Sequence, residues 1–258
     1  MIRHRTNPLG TWTLFKRETQ RFMKVWMQTL IAPVISNLLY FAIFGISLHK
    51  AIPDIQGVSY LEFLVPGLII MGLMNNSYQN PSSSLIIMKY QGLIDDLMTV
   101  PLKRFEIFIA FNASAILRGL LVGLMTYFTA TFFVDLHYTS PIAIISGALL
   151  VSMFFSFLGL FIGIYADEFD KAAFVQNFIL QPLIFLGGVF YSVSSLPALA
   201  KTISSFNPIV YMVNILRYGF TGVLEYPLST SYLIVGVSTA ALGALTYYLL
   251  HIGWRLQK

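Results

Sequence analysis

The sequence predicts an all-α, polytopic membrane protein that crosses the bilayer six times. Hydrophobic residues make up 57% of the chain and charged residues only 10%, whereas about 25% of the residues in an ordinary soluble domain are charged. The apolar residues form long unbroken runs rather than the amphipathic patterns of soluble helices. An unusually apolar soluble domain and a β-barrel of alternating segments are therefore poor alternatives.

Six apolar stretches are each long enough to cross a hydrocarbon core of about 30 Å, which takes roughly 20 helical residues. Backbone groups in lipid must be hydrogen-bonded within their own segment, so each stretch is predicted to be a helix. The predicted spans are 29–48, 64–88, 107–134, 142–166, 172–191 and 231–250.

The distribution of basic residues predicts the topology. Twelve of the sixteen lysines and arginines lie in 1–28, 89–106, 167–171 and the C-terminal tail. Basic residues are enriched in cytoplasmic connections, so both termini are expected in the cytoplasm. The net charge of +5 is then explained by anionic membrane lipids and needs no nucleic-acid partner.

The segment 8–28 precedes the first span and reads as an amphipathic helix lying on the membrane. Asn7 and Pro8 form a helix start. Apolar side chains recur at helical spacing opposite basic ones, as in interfacial helices. The apolar side includes Trp12, Phe15 and Phe22, and the basic side includes Arg17 and Arg21. The alternative is a simple cytoplasmic extension of the first span.

The loop between the second and third spans predicts a second short amphipathic helix, which Pro101 ends. Leu93, Leu97 and Met98 would share one face, with Asp95 and Asp96 beside it and Ile94 within the same turn. A short helix of this kind is suited to a groove on a partner protein. The alternative is a solvated connector, and the pattern alone does not decide between the two.

The region 192–228 is apolar but interrupted by residues that include Pro197 and Pro208. It is too broken to be another span. Irregular backbone at membrane depth is tolerated only where protein or a water-filled cavity covers it. We therefore expect one or two short re-entrant helices here, on the outer side.

Motifs of the common catalytic and energy-coupling sites are missing from the sequence. No Gly-Lys dipeptide occurs, so there is no phosphate-binding loop of the G-x-x-x-x-G-K-[ST] kind. There is no nucleophile elbow, and the four histidines lie far apart, so no metal site is predicted. The absence of cysteine excludes disulfides. An enzyme is therefore not expected.

Arg118 is the only charged residue in the six predicted spans. An arginine at a helix centre costs roughly 2.5–3.5 kcal/mol on insertion scales, so it should face protein, water or another subunit. One interpretation is contact with an anionic head group or a subunit interface. The other is hydrogen bonding to polar neighbours such as Asn112 and Ser114.

The second span also carries an unusual polar cluster, Asn75, Asn76, Gln79 and Asn80. These amides either line a hydrated route or hydrogen-bond between helices, which is the commoner use. Two small-residue motifs, Gly119–Gly123 and Gly159–Gly163, would permit close helix packing.

The stretch from Leu180 to Arg217 carries the most specific pattern. It combines apolar residues and small residues with Leu196-Pro197, a ten-residue gap and a closing Pro208-Ile209-Val210-Tyr211-x₅-Arg217. With the six spans, this pattern resembles the permease subunits of type-two ABC exporters, which depend on a separate ATPase. The resemblance covers essentially the whole chain.

This resemblance implies that 91–101 is the coupling helix that docks on an ABC ATP-binding subunit, with the interface helix beside it. ATP and Mg²⁺ would bind that partner, and no cofactor would bind this chain. Pro197, Pro208, Tyr211 and Arg217 would form the outer gate or would merely fold the 192–228 region. A homodimer in the bacterial inner membrane, exporting an amphipathic drug, lipid or glycan-lipid, is expected.

The principal alternative is an ion-coupled secondary transporter, which usually keeps acidic residues inside its helices. The predicted spans contain none, and no inverted repeat of the kind found in many carriers is detectable. A membrane-embedded enzyme or assembly scaffold is a further, weaker alternative.

Overall fold

A computed structural model describes residues 6–46 and 53–255 of the chain. In these residues the regular secondary structure is helical, and an isolated β-bridge joins Ile55 and Val58. The α-helices are α1 Pro8–Met23, α2 Ala32–Tyr40, α3 Tyr60–Tyr90, α4 Ile94–Thr99, α5 Arg104–Ala130, α6 Pro141–Tyr165, α7 Phe169–Phe174, α8 Gln181–Phe185, α9 Ala198–Ser205, α10 Pro208–Thr221 and α11 Leu228–Ile252. Turns of π-helix at Met27–Ile31 and Phe41–Ile46 flank α2, and Val175–Leu180 joins α7 to α8.

Helix ends are set by local side-chain chemistry. The side chains of Asn7, Ser59, Ser140 and Asn207 each accept a hydrogen bond from a backbone N–H of the helix that follows. Such caps satisfy donors that the first turn leaves unpaired. At the other end of α10, Gly222 adopts a φ of 76° and closes the helix in the left-handed region.

Within the described ranges, four helical segments are long and apolar enough to cross a membrane. They are Met27–Gly45, Arg104–Ala130, Pro141–Tyr165 and Leu228–Ile252, and they coincide with the predicted first, third, fourth and sixth spans. The predicted third span, 107–134, lies too far along the chain, because α5 begins at Arg104 and ends at Ala130. The predicted second span lies within α3, a helix of 31 residues.

The predicted fifth span, 172–191, differs from the structure at its end. Continuous helix runs through 169–185, and α8 ends at Phe185. Gly188 then takes a φ of 76°, a conformation that interrupts a right-handed helix. The segment 169–185 is thus shorter than predicted, and the number of spans stays a prediction.

The long helix α3 lies at the centre of the molecule and packs most extensively against α5 and α6. It is buried around most of its circumference, as expected of a helix whose apolar residues are not confined to one face. The predicted glycine motifs lie at these contacts. A Cβ at Gly119 would lie 2.0 Å from the Ser77 hydroxyl, and one at Gly159 would lie 2.2 Å from the Tyr78 carbonyl oxygen.

Candidate functional site

A polar cavity of about 350 Å³ opens beside α3 within this largely apolar bundle. Its walls are formed by α2 with the turn before it, by the middle of α3, and by the segment 169–185. Its polar lining residues are Gln28, Ser36, Asn37, Asn75, Asn76, Gln79, Gln176 and Gln181. The structure therefore brings three residues of the predicted polar cluster together with amides from two other segments.

Hydrogen bonds across the cavity wall fix several of these amides. The Gln181 Nε2 donates to Asn75 Oδ1 at 3.2 Å, which ties 169–185 to α3. The Asn37 Nδ2 donates to the Thr126 hydroxyl at 3.0 Å, which ties α2 to α5. The Asn76 Nδ2 donates to a carbonyl of its own helix, one turn earlier, at 3.0 Å.

Four lining residues, Gln28, Asn37, Gln176 and Gln181, were missed from the sequence. Gln28 and Asn37 are isolated amides beside or within the first predicted span, whereas Gln176 and Gln181 share the fifth predicted span with Asn177. An amide in an otherwise apolar span is nonetheless costly without a partner. A comparison of the number of amide residues in each predicted span could have identified them.

Arg118 lies directly behind the cavity wall and is only 5% exposed. It reaches from α5 to α3, where its Nη2 donates to Asn76 Oδ1 at 3.1 Å and to Gln79 Oε1 at 3.4 Å. Arg118 thus hydrogen-bonds polar side chains, as one interpretation expected, but the named examples Asn112 and Ser114 are not its partners. Their side chains instead donate to carbonyls of α5, so Arg118 belongs to the polar cluster of α3.

A second charged cluster joins α1 to α3. Glu18 is buried, and its carboxylate accepts hydrogen bonds from Arg17 at 2.7 Å and from the Ser84 hydroxyl at 2.6 Å. The Arg21 Nε lies 3.2 Å from Glu18 Oε2, the oxygen that also accepts from Ser84, and the Arg21 Nη2 donates to the Asn80 carbonyl at 2.7 Å. The polar cluster of α3 is therefore connected to α1 through Arg21.

These contacts correct the predicted faces of the interface helix, which itself ends at Met23 rather than at 28. The buried side of α1 carries Leu14, Glu18 and Phe22, while Trp12 is 62% exposed and Phe15 is half-buried. Arg21 points toward α3 instead of lying opposite the apolar side. Periodicity alone missed this because Glu18 is compensated by two arginines and therefore tolerates burial.

The predicted coupling helix 91–101 is helical only at α4, Ile94–Thr99. Leu93 is 40% exposed, whereas Leu97 is 4% exposed and packs with Ile94 into a core cluster. Leu93 is the N-cap residue of α4, and its carbonyl accepts from the Leu97 N–H at 3.1 Å, but only the Leu97 side chain is buried. Asp95, Asp96 and Pro101 are exposed, and Met98 is half-buried.

The loop after α6 lies against the end of α3 and extends this surface. The Lys89 ammonium donates to the carbonyls of Ile164 and Ala166 at 2.7 and 2.9 Å and lies 3.5 Å from the Asp167 carboxylate. Burial lowers the pKa of Lys89, and the Asp167 charge partly opposes that effect. The neighbouring rings of Tyr90 and Phe169 stack with centroids 5.7 Å apart.

Arg217 is the most buried charged side chain of the predicted outer region, at 2% exposure. Its Nη2 donates to the Gly188 carbonyl at 2.6 Å, and its Nη1 lies 3.8 Å from Glu225. Its guanidinium carbon lies 3.7 Å from the centre of the Phe63 ring. Glu225 in turn accepts from the backbone N–H of Val193.

The other residues of the predicted outer gate begin helices or join them. Pro197 precedes α9, and Pro208 occupies the first turn of α10, where its missing N–H is not needed. The Tyr211 hydroxyl donates to the Ser205 carbonyl at 2.9 Å and so links α10 to α9. The structure thus places these residues in contacts that fold the 192–228 region.

Comparison with known proteins gives a consistent result. The sequence pattern of the family described as ABC-2 type transporter matches residues 10–221. The chain is 38% identical over 246 residues to the inner membrane transport permease YadH of Escherichia coli K12, covering 95% of this chain and 96% of that protein. It is 24% identical over 222 residues to nodulation protein J of Rhizobium leguminosarum bv. viciae, covering 82% and 83%. The matched residues extend from α1 to the end of α10.

Proposed function

The chain belongs to the ABC-2 type transporter family, and we propose that two copies of it form the path of an exporter that a separate ATP-binding subunit drives. The family is one of membrane subunits of ABC transporters. The similarity to an inner membrane transport permease supports a location in the bacterial inner membrane.

The observation that carries this proposal is the polar cavity beside α3. Amide side chains buried in lipid are costly unless they find partners or water. A volume of 350 Å³ is far above the roughly 10–15 Å³ that a single water molecule needs. A hydrated cavity inside apolar helices is suited to moving a polar group across the membrane, with the rest of an amphipathic cargo remaining in apolar surroundings.

The proposed assembly is a homodimer of six-span subunits. The four long apolar segments would form the first, third, fourth and sixth spans, and α3 and 169–185 would form the second and fifth. Both termini would lie in the cytoplasm. At 1.5 Å per residue, 31 residues extend about 45 Å, which is ample for a bilayer. A second copy facing α2, α3 and 169–185 would enclose one path between two cavities.

The proposed docking surface for the ATP-binding subunit surrounds α4. The structure supports a revised footprint made of exposed residues: Tyr90, Leu93, Asp95, Asp96, Val100 and Pro101. ATP and Mg²⁺ would bind the partner subunit. ATP would move the dimer between inward- and outward-facing states only to the extent that the affinity for ATP differs between these states. The contact of α4 with the core would couple that difference in binding free energy to the spans.

Co-purification with the candidate ATP-binding subunit tests this proposal. Replacing Leu93 and Val100 together with aspartate should remove at least nine-tenths of the bound subunit, since both side chains are exposed and charge in an apolar contact is costly. Leu97 is unsuitable for this test because it is buried in the core.

The matched control is Leu199→Asp, an equally drastic change of a leucine that is 76% exposed in α9. It should leave co-purification unchanged. Undiminished binding by the Leu93 and Val100 variant would contradict the docking surface. Failure of the unaltered chain to bind any ATP-binding subunit would instead favour the ion-coupled transporter.

A further inference from the structure

Arg118 places a positive charge behind the polar cavity, and no carboxylate within residues 6–46 and 53–255 forms an ion pair with it. Its hydrogen-bond acceptors are two neutral amides, Asn76 and Gln79, and its Nε has no hydrogen-bond partner in the described structure. Among the described residues that line the cavity, none has an acidic side chain. A buried guanidinium without a counter-charge is costly, so something outside the described protein is expected to compensate it.

Glu18, the buried carboxylate of the cluster between α1 and α3, is not available for this purpose. Glu18 already accepts from Arg17, Arg21 and Ser84. Arg17 and Arg21 share this one carboxylate. The charges of Arg17, Glu18, Arg21 and Arg118 therefore sum to a net positive charge.

The amide side chains of the wall lie between Arg118 and the cavity. Gln79 lines the cavity, and its oxygen accepts from Arg118. The Asn75 oxygen accepts from Gln181 in the same way. Because the oxygens of Gln79 and Asn75 are engaged, their N–H groups remain as hydrogen-bond donors toward the cavity. An anion accepts from such donors more strongly than a neutral or cationic ligand does.

We propose that the cavity binds the anionic head group, phosphate or carboxylate, of a lipid-like cargo, with Arg118 as its charge partner through Asn76 and Gln79. This inference rests on the proposed function, because it names the chemical class of the transported molecule. It adds a requirement that the export proposal does not contain, namely that the cargo carries negative charge.

Binding of radiolabelled dodecyl phosphate to the chain in phosphatidylcholine nanodiscs tests the proposal, with empty nanodiscs as background. Unlabelled dodecyl phosphate should displace the label at least tenfold more effectively than dodecyl maltoside or dodecyltrimethylammonium, which share its tail. Equal displacement by all three would overturn the proposal. Equally effective displacement by inorganic phosphate would overturn its lipid-like part.

Two variants locate the site. Arg118→Gln should weaken binding of dodecyl phosphate at least tenfold, and Arg118→Lys should restore most of it. Lys201→Gln removes the same charge from an exposed position in α9 and should change nothing. Equal binding by Arg118→Gln and the unaltered chain would overturn the assignment.

Gln79→Glu keeps the shape of the wall and adds a negative charge, which keeps the test decisive if Arg118→Gln does not fold. It should abolish binding of dodecyl phosphate, and retained binding would overturn the proposal. These measurements use the chain without ATP-binding subunit. If dodecyl phosphate is not bound selectively, the export proposal is unaffected. If the ATP-binding subunit does not co-purify, the binding of dodecyl phosphate can still be interpreted.

Discussion

Replacing Arg217 with methionine is expected to lower the free energy of unfolding by about 3–5 kcal/mol, the usual effect of removing one partner of a buried ion pair. The loss arises because Glu225 then stays buried beside an apolar side chain, still bonded to the Val193 N–H. The Gly188 carbonyl also loses its donor. Denaturant unfolding of the detergent-solubilised protein measures the change.

Arg255→Met is the matched control, because the Arg255 guanidinium also lies over aromatic rings, those of Tyr165 and Trp254. Its side chain is exposed, so the same substitution should cost less than about 1 kcal/mol. Two equal losses would contradict the role given to burial.

The double variant Arg217→Met with Glu225→Met separates the ion pair from the rest of the site. Replacing both charges by apolar groups often restores much of the stability that one change removes. We expect the double variant to be more stable than Arg217→Met alone, since no uncompensated charge remains. A strictly additive loss would mean that Arg217 acts chiefly through Gly188 and Phe63.

The existence and order of the long helices could be predicted because each satisfies its backbone within one segment. Helix ends were less accessible. The predicted spans ran past Ala130 and Phe185, where apolar composition continues but the helix does not. Hydropathy measures transfer to lipid and carries no information on whether a glycine such as Gly188 takes a left-handed conformation.

The faces of short helices were the least predictable feature. A pattern of apolar spacing assumes that polar residues avoid contact with protein, and Glu18 violates that assumption because Arg17 and Arg21 compensate it. The cavity shows the same limit at longer range. Asn75 and Gln181 are 106 residues apart in sequence, and nothing in either segment alone indicates that they meet.

The close packing of α3 against α6 predicts an effect of opposite sign to the usual one at Gly159. In an ordinary helix interior, alanine is more favourable than glycine by about 1 kcal/mol. Here a Cβ would lie 2.2 Å from the Tyr78 carbonyl oxygen and 2.9 Å from its carbon. These are backbone atoms of the central helix, so they cannot be displaced by a change of side-chain rotamer.

Gly159→Ala is therefore expected to lower the free energy of unfolding by about 1–3 kcal/mol through overpacking, with a larger loss for Gly159→Leu. Gly236→Ala in α11 is the matched control, because a Cβ there meets nothing within 4 Å and should be neutral or stabilising. Unfolding in detergent of both alanine variants measures the contrast. Equal stability of the two alanine variants would mean that α3 and α6 can separate without cost. The packing one turn further along argues against such a separation. A Cβ at Gly163 would lie 3.1 Å from the Leu85 side chain.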